Sequence, residues 1–264
     1  MSTGSYHFET LNDVVFQAER LRQQAQVIRG MEAGILRSAG IQSGHDVLEL
    51  GCGPGFVSDL LAELAPEGSL YAVEPSPTLL AQVEGNVRNK PARGLFPIQA
   101  YGNHLPVPDS SIDFSYARFV LQHIPRPETV VSEIYRVMRS GGHFCAVDSD
   151  DGLVVFYPED TLVSRILQTA QTIQAERGGD RFIGRKLQHM MVSAGFINVK
   201  SRVLALTSSE LPFETLFNIL MGYKASLVGD VVNIKQLFDD LSKKVVDGHQ
   251  LVAGGVFIVT GEKA

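Results

Sequence analysis

Short apolar runs alternate along the chain with stretches whose apolar residues recur at helical spacing, from about residue 46 to 200. The runs at 46–50, 69–74, 95–100, 112–118, 143–148, 199–206 and 255–260 read as strands. Several are nearly continuous in apolar residues, the pattern of strands buried on both faces. Between them, 56–64 places Val57, Leu60, Leu61 and Leu64 on one helical face. A second helix opens at Ser76 or Pro77, with Leu79, Leu80 and Val83 aligned. A third, 127–139, starts on a proline and stops at Gly141-Gly142. A fourth, 185–194, closes on Gly195. Strand and helix in alternation predict a parallel α/β sheet with helices on both faces. Two segments fall outside this rhythm and also carry helical periodicity: 1–40 and 211–250. The expected organisation is therefore a helical lid segment at 1–40 and a core at 41–264, with 211–250 a helical insertion before the last strand.

Composition narrows the class. The chain has 264 residues, 44% of them hydrophobic and 20% charged, which suits a folded domain with a sizeable core. Asp and Glu number 29 against 23 Lys and Arg, for a net charge of −6, so affinity built on phosphate neutralisation is not expected. The longest apolar run, LVAGGVFIV, is about half of the ~20 residues a bilayer-spanning helix needs. The opening MSTGSYHFETLND has neither a basic nor an apolar signal region, so no secretory signal is expected in it. Cys52 and Cys145 lie in apolar runs, which points away from a disulfide framework and toward the reducing cytoplasm. His143 near Cys145 has no second such pair to complete a zinc site.

The chemistry is concentrated in VLELGCGPGF, residues 47–56. An apolar strand ends at Glu49, and Gly51, Gly53 and Gly55 follow before a helix begins. Glycines at such a corner permit a sharp turn and let a ligand approach the backbone where a β-carbon would stand. Amide groups at a helix start favour an anion. A bare tight turn would use the same glycines, so the next strand matters: SLYAVE ends in Glu74, a carboxylate placed to accept ribose hydroxyls. The dinucleotide fingerprint G-x-G-x-x-G fails, because its third position is Phe56 and Gly55 comes one residue early. No Walker-type phosphate loop occurs. A ribose-bearing ligand without a phosphate fits better.

On these residues the chain resembles the class I S-adenosylmethionine (SAM)-dependent methyltransferases, in particular a subset acting on small molecules. The resemblance extends through QAYGNHLPVPDSSIDFSYARFVLQHIPRPETVVSEIYRVMRSGGHF, GDRFIGRKLQHMMVSAGF and the N-terminal ERLRQQA, covering about residues 14–262. It implies a Rossmann-like, seven-stranded mostly parallel sheet with an antiparallel last strand and a helical lid. It implies SAM as cofactor, methyl transfer by SN2 displacement at the sulfonium, and a small organic acceptor. Gly51, Gly53 and Gly55 would line the methionine and ribose portion. Glu49 would lie near the ammonium group, Glu74 would hold the ribose hydroxyls, and Pro75 and Ser76 would flank the adenine. Many relatives have Asp-Ala where this chain has Tyr101-Gly102, so backbone at Gly102 or Asn103 would substitute and Tyr101 would stack or fill space. Arg118 and Phe119 would flank the sulfonium and carboxylate.

Alignment of nucleophile, methyl and sulfur can supply about 7–11 kcal/mol at the favourable limit, and a general base a further ~10²–10⁴-fold for a weakly acidic acceptor. The base candidates are His123, which competes with a structural role beside Leu121 and Ile124, and His7, on a segment that could close over the site. Asp148, Asp150 and Asp151 cluster after a strand, where a solvated, helix-capping loop is the expected role and no metal is assigned. The segment ARFVLQHIP stands where base-methylating enzymes carry an N/D-P-P-Y/F loop, so a nucleic-acid base is not the expected acceptor. Two rival readings are a non-catalytic SAM-binding protein and a nicotinamide-dependent oxidoreductase, the latter opposed by Phe56.

Overall fold

The structure is a computed structural model, and the residues described are 14–228 and 233–264. Its centre is an eight-stranded sheet. Strands β1 (Val47–Leu50), β2 (Ser69–Val73), β3 (Gly94–Ile98), β4 (Ile112–Arg118) and β5 (Met138–Ser149) are parallel in the spatial order β3-β2-β1-β4-β5. The last strand, β8 (Leu251–Lys263), runs antiparallel to β5, and β7 (Phe196–Thr207) pairs with its other edge. All seven expected strands are present. The eighth, β6 (Val155–Tyr157), is only three residues long and has no apolar period to announce it. It pairs with the start of β8, where Ala253 is opposite Val155 of β6 on one side and Thr207 of β7 on the other.

β1 sits between β2 and β4, and all four of its residues are buried. That explains a run without alternation, and it places Glu49 in the interior. One face of the sheet packs on α2 (Arg29–Ser38) and α3 (Ser58–Leu64) through Leu36, Leu60 and Leu61. The other packs on α6 (Pro127–Val137) and α8 (Leu187–Ser193) through Val130, Ile134, Leu187 and Met191. The helix expected at Ser76 or Pro77 is broken into two short pieces, α4 (Pro77–Leu80) and α5 (Val83–Asn86), with Ser76 capping the first. α6 ends two residues before expectation, because Met138 turns extended and opens β5. Gly141-Gly142 is therefore not a helix stop. It lies inside β5, where a Cβ at Gly142 would stand 2.9 Å from two backbone oxygens.

The segments outside the βα rhythm build a separate apolar cluster. α1 (Val14–Val27) packs on α9 (Phe213–Val228), which also meets α7 (Thr161–Glu176) and α10 (Ile234–Val246). Phe213, Phe217 and Phe238 meet with ring centroids 5.3–5.6 Å apart, Phe213 stacked on Phe238 and Phe217 edge-on to it, and Leu216, Met221 and Leu241 are fully buried in the same cluster. α7 is a helix that periodicity did not announce. Asp160 starts it, accepting from the amides of Leu162 and Val163 at 2.9 and 3.1 Å. α9 rests against β8 so closely that a Cβ at Gly254 would lie 2.2 Å from Leu220 Cδ2.

Candidate active site

A cavity of about 260 Å³ opens at the carboxyl ends of β1, β2 and β4, under α1 and α9. Parallel sheets offer ligands this position because the strand order reverses there. One wall is the glycine turn. The amides of Gly51 and Cys52 both donate to the Val73 carbonyl, at 2.8 and 3.0 Å, which binds the corner to the end of β2. Gly51 has φ +67°, and a Cβ there would stand 2.4 Å from Val120 Cγ2. Gly53 has φ +55° and nothing within 4 Å of its absent Cβ, so its backbone faces open cavity. Gly55, at φ +90°, does not line the cavity; its missing Cβ makes room for Val83 of α5.

Two acids flank the turn. Glu74 follows β2, is buried, and accepts the amides of Gly53 and Ser76, each at 3.0 Å. Ser76 is therefore a positioning group for Glu74 and a cap for α4, and it lies off the cavity lining. Glu49 accepts the Ser58 hydroxyl. Burial pushes its carboxyl up to about 8; the Ser58 bond pulls the other way, and the charges of Glu32 and Glu74 add to the rise. A buried carboxyl beside an open cavity is favoured in its ionised form once a cation is brought against it. Pro75, Tyr101 and Gly102 complete this end, with Tyr101 half exposed. Asn103 is exposed and lies off the lining.

Past β4 the wall changes character. Arg118 lines the cavity and pairs with buried Glu32 of α2 at 3.1 Å, while Tyr116 donates to the same carboxylate at 2.5 Å. Phe119 has φ +56°, a strained conformation for a bulky residue, held by its amide's 2.8 Å bond to the Val147 carbonyl. His123 ends a 3-10 turn, lines the cavity, and meets Tyr223 of α9 edge-on at 5.1 Å between ring centroids. His7 lies outside the described residues.

The far end holds a polar cluster. The chain leaves β5 at Ser149 and makes a short turn through Asp151–Leu153 before β6, so Asp150 and Asp151 face the cavity. Arg185 takes Asp150 with bonds of 2.7 and 2.6 Å. Asp151 accepts from Arg181 Nε and Nη2, at 3.2 and 2.8 Å, and pairs with Lys224 of α9 at 3.1 Å. Burial raises the Asp151 carboxyl, but Lys224 and Arg181 together outweigh it and hold it low. Among the described residues no group of three metal-ligating side chains forms. Sequence reasoning passed over Arg181, Lys224 and Gln122, all of which line the cavity. The available signal for Lys224 was a lone cation inside the apolar stretch FNILMGYKASLV.

Residues 48–146 match the family described as "Methyltransferase domain". An uncharacterized 37.1 kDa protein in transposon TN4556 of Streptomyces fradiae is 33% identical over 171 residues, 64% of this chain and 48% of that protein. Demethylmenaquinone methyltransferase of Geobacillus stearothermophilus is 32% identical over 142 residues, 52% of this chain and 56% of the enzyme. The chain thus spans about half the length of the curated relatives it matches. In three dimensions it overlays phosphoethanolamine N-methyltransferase 2 of Haemonchus contortus, solved with phosphomonomethylethanolamine and S-adenosylhomocysteine, at TM-score 0.59 and 18% identity, over 89% of this chain and 53% of that one. The glycine corner and Glu74 both fall inside the segment, residues 48–146, that is similar to a methyltransferase domain.

Proposed function

We propose that the chain transfers the methyl group of SAM to a small organic acceptor. The carrying observation is the cavity itself: a bare-backbone corner with two buried acids at one end, and walls from the residues after β4 and β5 and from α9 at the other. The residues fit the cofactor. The corner is kept clear where Gly53 lacks a Cβ, and Glu49 is a buried carboxyl without a cation of its own among the described residues. Glu49 would receive the ammonium group and Glu74 the ribose hydroxyls, with Pro75, Tyr101 and Gly102 around the adenine. When bound, the cofactor supplies an electrophilic methyl group.

The chain's own contribution is orientation in a site with little water. α1 contributes Leu21 and Gln24 to the roof, α9 contributes Ile219, Leu220 and Tyr223, and the helical segments before β1 and before β8 thus act as a lid. His123, which lines the cavity, would take an acceptor's proton, and an imidazole is suited to that near neutral pH. The acidic net charge supports an acceptor other than nucleic acid. Buried, unpaired Cys52 and Cys145 support residence in the reducing cytoplasm. Among the described residues no helix is long and apolar enough to cross a membrane.

The test is calorimetry with S-adenosylhomocysteine, followed by a screen for its release from SAM with small O-, N- and C-nucleophiles. Micromolar binding with release supports the proposal. Binding without release from any acceptor favours the non-catalytic alternative, and failure to bind at millimolar concentration rejects both.

A further inference from the structure

The far end of the cavity holds two buried cations around one ionised carboxylate. Lys224 is 3% exposed and Arg181 6%, and both converge on Asp151. Asp150 is occupied by Arg185. Asp148, the other acid close to Arg181, has its carboxyl pushed up to about 7 by burial, with its oxygens accepting amides from Gln122 and Ser149 at 3.2 and 2.9 Å. The remaining partners among the described residues are neutral: Lys224 Nζ donates to the Leu220 carbonyl at 2.5 Å, and Arg181 Nη1 donates to Gln122 Oε1 at 2.6 Å. Burial drives the Lys224 ammonium down to about 8, and the charge of Arg181 adds to this against the pull of Asp151. A buried cation short of counter-charge is costly to keep in a folded protein, and an anionic ligand supplies what is missing.

From this juxtaposition we propose that the methyl acceptor is a carboxylate on an apolar body, and that Lys224 and Arg181 receive its oxygens. The inference rests on the methyltransferase reading and names its substrate class. Val154, Ile219 and Leu220 beside the cluster would hold the apolar body, with the His123–Tyr223 pair alongside. The competing role, a structural tie from α9 to the core, creates no preference between a carboxylate and its neutral amide.

The experiment uses the full chain saturated with S-adenosylhomocysteine. Benzoate, phenylacetate and butanoate are titrated calorimetrically beside their amides, in wild type and in Lys224→Met and Lys224→Arg. At least one carboxylate is expected to bind tenfold or more tighter than its amide. Lys224→Met should bring that ratio within about twofold, and Lys224→Arg should retain most of it. Equal binding of every pair, or a preference that survives Lys224→Met, overturns the proposal. So does a tenfold or greater loss of S-adenosylhomocysteine affinity in Lys224→Met, which would assign the cations to the cofactor's own carboxylate. Absence of S-adenosylhomocysteine binding in wild type would instead count against the methyltransferase reading, and the same titrations without it would still read the preference for an anion.

Discussion

Glu74 and Glu49 are both buried carboxyls at strand ends, yet their surroundings give them different work. Glu74 is fixed by two backbone amides; in the proposed function it receives the ribose hydroxyls, and alanine would remove that acceptor. We expect Glu74→Ala to weaken S-adenosylhomocysteine binding by ~1–3 kcal/mol in calorimetry, with the far-ultraviolet spectrum retained. Glu49 is raised by burial to about 8, above the 4.5 of an ordinary glutamate. Between these values the unfolded chain releases a proton that the folded chain keeps, so this group's contribution to stability falls as pH rises from about 4.5 to about 8. Urea unfolding at pH 5, 6.5 and 8 should show a shallower decline in Glu49→Gln than in wild type. A slope unchanged by the substitution would mean that Glu49 is ionised in the folded protein. His123 is tested by kinetics: as a base, its change to asparagine should lower kcat by ~10²–10⁴-fold while S-adenosylhomocysteine affinity stays within a few-fold.

At the scale of elements, the turn after β1 was the most legible part of the chain. Its glycines, the strand before it and the acid after the next strand are local in sequence, and each residue type has a physical reason at its place. We expect Gly51→Ala to be damaging twice over. The positive φ costs about 1–2 kcal/mol for a residue with a Cβ, and the contact with Val120 adds overpacking of about 1–3 kcal/mol. Thermal unfolding should report the loss directly; a melting temperature equal to wild type would show that the corner relaxes freely. Other elements were less legible for identifiable reasons. The end of α6 was misplaced because Gly141-Gly142 looked like a stop, whereas Met138 had already turned extended to pair with Ile112. β6 was missed because three residues carry no periodicity. Gly55 and Ser76 were expected against the ligand and instead support the turn and Glu74, a distinction that depends on which side of the corner each one faces. Asn103, whose backbone or that of Gly102 was expected to serve the adenine, is exposed and lies off the cavity lining, while Gly102 lines it.

Taken whole, the molecule joins a rigid sheet to a helical roof with its own apolar cluster. The far end of the cavity was not legible from local sequence because its polar groups come from four separate stretches, around 122, 150, 181 and 224, and only tertiary packing brings them together. A roof with a separate core opens more readily than a central sheet. Amide exchange should therefore be faster in α9 and α10 than in β1 and β4, and S-adenosylhomocysteine should slow it in α1 and α9, whose residues face the cavity. Uniform protection across roof and sheet would show a single cooperative unit. The bareness of Gly254 has a consequence for selectivity. Leu220 occupies the volume that a side chain at 254 would need, with Cδ2, Cδ1 and Cγ at 2.2, 3.0 and 3.1 Å from the position of a Cβ. Gly254→Ala must displace Leu220 or lift the helix that carries it. Either response redraws the chamber, so Gly254→Ala alters the space open to a bound molecule from a position that does not itself line it.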